Sequence, residues 1–194
     1  MAAQKAPAAT VRDLLAIPED QRFHEVVAGE IVRKATPSGE HGDAQSAVAL
    51  RIKGPFQRRP GDRGPGGWWI YTAVEVELEP TEVYRPDVVG WRRERLPERP
   101  TGTPIATRPD WICEVLSPSS SSVDTLTKLR GYHRNHVPHS WIVDPLEQSL
   151  TVFRWEPDGY LLRLKAERGE RVHAEPFDAV ELPVGALFGD DDDA

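Results

Sequence analysis

Two carboxylates stand in the sequence where packing alone would not place them. Glu114 interrupts the apolar run WICEVL, and Asp87 opens the apolar run DVVGW directly after Pro86. Burial of an ionised carboxylate costs several kcal/mol unless a cation or hydrogen-bond donors compensate it. If the two runs form paired strands, the carboxylates meet at one point. The compensating cation would then be a lysine or a hard metal ion such as Mg²⁺.

A lysine follows the Glu114 run at helical spacing. Asp124, Lys128 and Tyr132 are four residues apart in SVDTLTKLRGYHR, so they would share one face of a helix. Lysine is scarce in the chain, with five residues against nineteen arginines, which sets Lys128 apart from general surface charge. Two carboxylates that hold Mg²⁺ or Mn²⁺, with a lysine that stabilises charge on phosphoryl oxygens, could hydrolyse a phosphodiester. The alternative is a surface ion pair between Asp124 and Lys128, worth a few tenths of a kcal/mol.

The first third of the chain predicts a helix, a hairpin and a second helix. The short helix is predicted over Thr10–Ile17, with Thr10 as its N-cap. The run RFHEVVAGEIVRK predicts a β-hairpin that turns at Ala28-Gly29. The longer helix is predicted from Glu40 to Lys53, where Gly54-Pro55 would end it.

The strands that would carry the two acids lie further along. WWIYTAVEVELEP predicts one half-exposed strand, because Glu75 and Glu77 alternate with apolar residues. EVYRPDVVGWRR and WICEVL predict two more strands, HSWIVDP an interior strand, and SLTVFRWEPDGYLLRLKAE a hairpin. This order of elements predicts an α/β fold with a mixed sheet flanked by helices. A single domain would span residues 10–188, between a flexible N-terminus (1–9) and an acidic disordered tail (189–194).

The composition limits the classes of protein to which this chain can belong. The net charge is −7, and four of these charges belong to the aspartates of the tail, so the chain as a whole has no strongly basic nucleic-acid footprint. Arginines do cluster in QRRPGDRGPGG and GWRRERLPERP, where they are either solvated or in contact with phosphate. No apolar run approaches the ~20 residues of a membrane span, and no signal-peptide pattern is present. With Cys113 as the only cysteine, no internal disulfide forms, and the simplest localisation is the cytoplasm.

The motifs around the two acids resemble a known family. RPDVV, WICEVLSPSS, FHEVVAGEI and VDTLTKLRGYHRNHVPHSWIVDP, at this spacing, are similar to a bacterial family of restriction endonucleases within the PD-(D/E)XK nuclease superfamily. The resemblance extends from Phe23 to Phe188, and EVLSPS and WIVDP are its most specific parts. It implies a restriction-endonuclease-like core with an N-terminal β-hairpin, DNA as the substrate, and Mg²⁺ or Mn²⁺ as the cofactor.

The resemblance also implies roles for individual residues. Asp87 and Glu114 match the two acids of the family's motif and would be catalytic metal ligands. The superfamily places a lysine two residues after the second acid, where this chain has Leu116, so Lys128 would supply the lysine instead. An upstream polar residue often completes such a site, and the candidates, in order, are His41 and Glu30.

The sequence allows more than one interpretation of the catalytic activity and of the oligomeric state. A nuclease-like chain could be a catalytically silent binding or regulatory module, because fold does not fix function. Nucleases that cut both strands often act as two-fold dimers, so a homodimer is expected. Its interface strand would come from SLTVFRW or from the N-terminal hairpin.

Overall fold

The polypeptide folds into helices packed around β-sheets. The computed structural model describes residues 7–61, 64–117 and 122–191. The helices are α1 (Val11–Leu15), α2 (Gly39–Phe56) and α3 (Ser122–Arg134), with short 3₁₀ turns at Glu19–Gln21 and Val184–Leu187. The strands are β1 (His24–Val27), β2 (Glu30–Arg33), β3 (Trp68–Thr72), β4 (Val76–Glu79), β5 (Glu82–Tyr84), β6 (Val88–Arg92), β7 (Trp111–Val115), β8 (His139–Asp144), β9 (Ser149–Glu156), β10 (Gly159–Glu167), β11 (Arg171–Val172) and β12 (Leu182–Pro183).

The larger sheet is mixed, as the sequence predicts. Its strand order is β10-β9-β8-β7-β6-β3. β7 and β8 are parallel and joined by the α3 crossover, whereas the other neighbours in the sheet are antiparallel. Both strands lie inside the sheet with helices or the second sheet over their faces, which explains why WICEV and SWIV are almost continuously apolar.

A smaller four-stranded sheet, of order β2-β1-β5-β4, contains the N-terminal hairpin. The hairpin turns at Ala28 and Gly29, as predicted, and both residues have positive φ angles, 51° and 77°. Val27 and Tyr84 of this sheet pack with Ile112 of β7 and Tyr132 of α3. The smaller sheet therefore covers the α3 side of the larger one.

The two faces of β7 point into different cores. Trp111, Cys113 and Val115 pack with the apolar stripe of α2, whereas Ile112 packs on the side of α3. Because side chains alternate along a strand, Glu114 shares the α3 side with Ile112. Cys113 is fully buried, and that burial raises the pKa of its thiol well above the usual range. It is a core residue.

The run WWIYTAVEVELEP forms two strands, so the prediction of a single strand is wrong. The chain bends at Ala73, whose φ is 52°, and passes from β3 in the larger sheet to β4 in the smaller one. Glu75 follows the bend, is buried, and pairs with Arg22 at 3.0 Å, instead of lying on an exposed face. EVYRPDVVGWRR divides in the same way into β5 and β6, and Asp87 lies at the junction.

The second helix runs further than predicted. α2 continues through Gly54 and Pro55 to Phe56. Proline in the last turn removes one backbone hydrogen bond. The buried ring of Phe56, whose centroid lies 4.7 Å from that of Phe177, fastens this turn to the core.

Residues just outside the predicted limits of the domain contact it. The backbone N–H of Ala9 donates to the carbonyl of Gly29 at 2.7 Å, and the carboxylate of Asp190 pairs with Arg168. None of the helices in the described ranges is long and apolar enough to cross a membrane.

Candidate active site

Asp87 is fixed at the point where the chain enters the larger sheet. β6 and β7 pair antiparallel with Val88 opposite Cys113, so Asp87 comes next to the end of β7 that carries Glu114 and Val115. Its Oδ2 accepts the backbone N–H of Val115 at 2.8 Å, and its carbonyl accepts from Nε2 of Gln45 at 2.9 Å. The carboxylate is 2% exposed, so its orientation is set by these bonds.

The other carboxylate oxygen of Asp87 faces two nitrogen groups. Its Oδ1 lies 2.8 Å from Nζ of Lys34 and 3.2 Å from Nε2 of His41. Burial by itself would raise the pKa of Asp87, but the hydrogen bond from His41 and the charge of Lys34 outweigh it and lower the pKa from 3.8 to about 2. Asp87 is therefore ionised at neutral pH.

The pKa of Glu114 is shifted in the opposite direction from that of Asp87. Its side chain is buried, and Oε1 accepts from the Tyr132 hydroxyl at 2.5 Å while Nζ of Lys128 stands 3.7 Å away. Burial raises the pKa of Glu114, and Lys128 and Lys34 compensate only in part. The nearby carboxylates of Asp87 and Glu25 raise it further. An additional positive charge nearby would stabilise the ionised form of Glu114.

Lys128 is shared between Glu114 and a carboxylate of the smaller sheet. Its Nζ lies 2.7 Å from Oε2 of Glu25, which is closer than its approach to Glu114. Glu25 is 2% exposed, and its Oε1 accepts the backbone N–H of Arg85 at 2.7 Å. Lys128 thus ties α3 to β1 as well as to β7.

Helix α3 approaches the smaller sheet closely enough to require glycine. A Cβ on Gly131 would lie 2.0 Å from the hydroxyl oxygen of Tyr84. The rings of Tyr84 and Tyr132 pack with centroids 4.9 Å apart, and Arg134 pairs with the buried carboxylate of Glu82. This packing fixes how closely α3 lies against the sheets, and therefore how close Lys128 and Tyr132 lie to Glu114.

All five candidate residues line one cavity of about 580 Å³. His41, Asp87, Glu114 and Lys128 are buried side chains on its wall, whereas Glu30 is exposed at the start of β2. Of the two upstream candidates, His41 is the one that approaches Asp87. The structure therefore brings together residues from the smaller sheet, α2, β7 and α3.

Three further residues of this cluster were not identified in the sequence, namely Glu25, Lys34 and Tyr132. The sequence contains a feature that could have identified each of them. Glu25 is a carboxylate within an apolar strand, just as Glu114 is, and Lys34 is another of the five lysines. Tyr132 was placed on the Lys128 face of the helix, but a hydrogen bond to Glu114 was not foreseen. The side chain of Asp124, on the same predicted face, lies outside the described residues.

The donor set fits a hard divalent cation held by two side chains. Within residues 7–61, 64–117 and 122–191, no three His, Cys, Asp or Glu side chains are grouped tightly enough to hold a metal ion. Mg²⁺ commonly keeps several waters and uses only one or two carboxylates, so Asp87 and Glu114 suffice in an open cavity. The electrostatics agree, because among the described residues Glu25, Asp87 and Glu114 face two ammonium groups, those of Lys34 and Lys128, together with the imidazole of His41.

The arginines after β6 lie away from this cavity. Arg92 is at the opposite end of β6 from Asp87, roughly 17 Å along the strand. The guanidinium of Arg93 stacks on Trp69 at 3.7 Å and donates to the Trp68 carbonyl at 3.0 Å. β6 therefore carries these arginines away from the two acids. Arg63 of the other cluster lies outside the described residues.

Comparisons with known proteins agree with this fold. Residues 11–185 match the family model Uma2, described as "Putative restriction endonuclease". A crystal structure of a "putative nuclease belonging to DUF820" from Anabaena variabilis superposes with a TM-score of 0.70 at 22% identity, over 92% of this chain and 97% of that one. A search of curated proteins finds no match. Since the family model covers nearly the whole chain, this protein belongs to the Uma2 family of restriction-endonuclease-like proteins.

Proposed function

We propose that the protein is a metal-dependent endodeoxyribonuclease, a hydrolase of phosphodiester bonds in DNA. The observation that carries the proposal is that Asp87, directly before β6, and Glu114, in the neighbouring strand β7, line one cavity beside two lysines. Asp87 and Glu114 would hold Mg²⁺ or Mn²⁺. When bound, such an ion supplies Lewis-acid polarisation of the phosphate and a lower pKa for a water molecule.

The side chains have separate tasks in this proposal. Tyr132 donates to one oxygen of Glu114 and orients the carboxylate. His41 and the Val115 N–H fix the two oxygens of Asp87. Lys34, whose side chain is 23% exposed on the cavity wall, supplies positive charge to phosphoryl oxygens of the substrate.

Lys128 acts in this scheme mainly as a positioning residue. Its charge is already opposed at 2.7 Å by Glu25, and its side chain is only 10% exposed. It holds Glu114 and Glu25 at a fixed separation. The charge-stabilising role that the resemblance assigns to Lys128 is therefore shared with Lys34, which reaches Asp87 directly.

A catalytically silent binding or regulatory module is the second candidate. It is favoured by the fact that Lys34 and Lys128 already neutralise much of the carboxylate charge. A module of this kind would bind DNA without cleaving it and would not need a divalent ion.

We also propose a cytoplasmic homodimer. The predicted interface strand SLTVFRW is β9, which is paired on both sides, so it offers no free edge. The other predicted segment, the N-terminal hairpin, does offer an edge in β2, where Ile31 is 37% exposed. The remaining edge strands of the two sheets are β3, β4 and β10, and Leu161 and Leu162 of β10 are 43% and 54% exposed. Light scattering at tens of micromolar tests the dimer, and a monomer mass would contradict it.

The proposed activity is tested by cleavage of DNA with Mn²⁺ and with a chelator. Wild-type protein should cut single-stranded or plasmid DNA only with the metal, and Asp87→Asn and Glu114→Gln should each lose at least about a hundredfold in rate. Asp158→Asn, in the exposed turn between β9 and β10, is the matched control and should cleave normally. Equal cleavage by Asp87→Asn and wild type would refute the assignment.

A further inference from the structure

A second cavity of about 430 Å³ adjoins the first across Asp87. Lys34, His41 and Asp87 line both cavities. Phe23 and Arg85 line only the second one, so it extends the candidate active site toward a different part of the surface.

The exposed aromatic ring in this cavity stands on a rigid backbone. Phe23 is 55% exposed although it is a large apolar residue next to a buried strand. Its carbonyl accepts the backbone N–H of Lys34 at 2.8 Å, and its own N–H donates to the carbonyl of Gln21 at 2.9 Å. The backbone that carries the ring is therefore held at a fixed position relative to the backbone of Lys34, whose side chain contacts Asp87.

The second cavity is more positively charged than the first. Its lining includes Arg33, Lys34 and Arg85, with Asp87 as the one carboxylate among the described residues that line it. Arg85 is anchored through Nε, which donates to the carbonyl of Ala73 at 2.8 Å. By contrast, four carboxylates line the first cavity, against three cationic side chains, of which Arg33 and Lys34 are shared with the second. A polyanion that enters the first cavity would therefore meet compensating positive charge in the adjoining second cavity.

We propose that the second cavity binds an unpaired nucleotide next to the scissile phosphate. The base stacks on Phe23, and the flanking phosphates contact Arg33 and Arg85. Bases inside a duplex are already stacked on both faces, whereas an unpaired base has a free face for an aromatic side chain. The substrate class is therefore single-stranded or locally unpaired DNA. This inference rests on the proposed nuclease function and specifies its substrate.

Fluorescence anisotropy with the full chain tests this subsite without cleavage. The probes are a labelled single-stranded oligothymidylate, the same strand built from abasic sites, and a duplex, all in the presence of a chelator. Wild-type protein should bind the oligothymidylate more tightly than the abasic strand. Phe23→Leu should weaken oligothymidylate binding about five- to a hundredfold, the range for loss of one base–aromatic stack, and leave abasic binding unchanged.

Two controls separate stacking from charge and from folding. Leu50→Ala removes an exposed apolar side chain on α2, outside both cavities, and should bind all three probes as wild type does. Arg33→Ala with Arg85→Ala should weaken oligothymidylate and abasic binding equally and flatten the salt dependence of both.

Equal wild-type affinity for the oligothymidylate and the abasic strand would overturn the inference, as would an unchanged affinity ratio in Phe23→Leu. Preference for the duplex would overturn it too. Since these measurements contain no cleavage step, they are independent of the Mn²⁺ cleavage assay. Normal cleavage of duplex DNA by Phe23→Leu would leave the nuclease proposal intact and remove the subsite alone.

Discussion

Replacement of Lys128 by methionine should destabilise the fold strongly, because the lysine neutralises two buried carboxylates. Its Nζ lies 2.7 Å from Glu25 and 3.7 Å from Glu114, and the side chains of these residues are 3% and 10% exposed. Methionine preserves the length of the side chain but removes its charge. Glu25 would then keep only the backbone N–H of Arg85 among its described hydrogen-bond partners.

The expected loss follows from the burial of the pair. Removing one partner of a buried ion pair costs about 3–5 kcal/mol, since the other charge stays desolvated and unpaired. For a domain of this size, that corresponds to a decrease in melting temperature of roughly 10 °C. Adding Glu25→Gln to Lys128→Met should recover part of the lost stability, because it removes the buried negative charge that the single variant leaves unpaired.

Urea unfolding and thermal melts at neutral pH measure this effect. Lys165→Met, at an exposed position on β10, is the matched control and should change the free energy of unfolding by less than about 0.5 kcal/mol. A loss below about 1 kcal/mol in Lys128→Met would refute the reasoning. A double variant with Glu25→Gln that is less stable than Lys128→Met alone would also refute it.

Three other predictions concern the site and its supports. Lys34→Met should bind Mn²⁺ more tightly than wild type in calorimetry, because the ammonium group no longer competes for Oδ1 of Asp87, 2.8 Å away. Gly131→Ala should lower the melting temperature, because its Cβ would meet the Tyr84 hydroxyl at 2.0 Å; an unchanged melting temperature would contradict the packing of α3. Burial lowers the pKa of His139 from 6.5 to about 4, so the stability that it contributes is full above pH 6.5 and is lost as the pH falls toward 4. Melts between pH 7 and 4 should show a smaller decrease in His139→Gln than in wild type, and parallel curves would contradict the assignment.

The residues whose surroundings are easiest to anticipate from the sequence are those that conflict with their own neighbours along the chain. Glu114 is an acid within an apolar run and Asp87 directly precedes one, and such a conflict is visible without a structure. The strand assignments around them follow from alternation and burial, which are local properties. The order of strands and helices predicts a mixed sheet, and the parallel β7–β8 pair among antiparallel neighbours confirms it.

The partners of these acids were harder to predict because they come from a second sheet. Lys34 reaches Asp87 across 53 positions of sequence, through a hairpin whose docking no local pattern specifies. The bend at Ala73 was missed because the alternation of apolar residues continues through it, even though the chain changes sheets there. Without that bend, the positions of Glu25 and Lys34 relative to the larger sheet could not be derived.

Metal binding tests the central claim most directly. Isothermal titration of Mn²⁺ into the wild-type protein at neutral pH should show a site of roughly one ion per chain, and Glu114→Gln should abolish that binding without lowering the melting temperature. Asp158→Asn should bind as wild type does. Absence of binding at millimolar Mn²⁺, or binding that Glu114→Gln leaves unchanged, would contradict a metal site between Asp87 and Glu114.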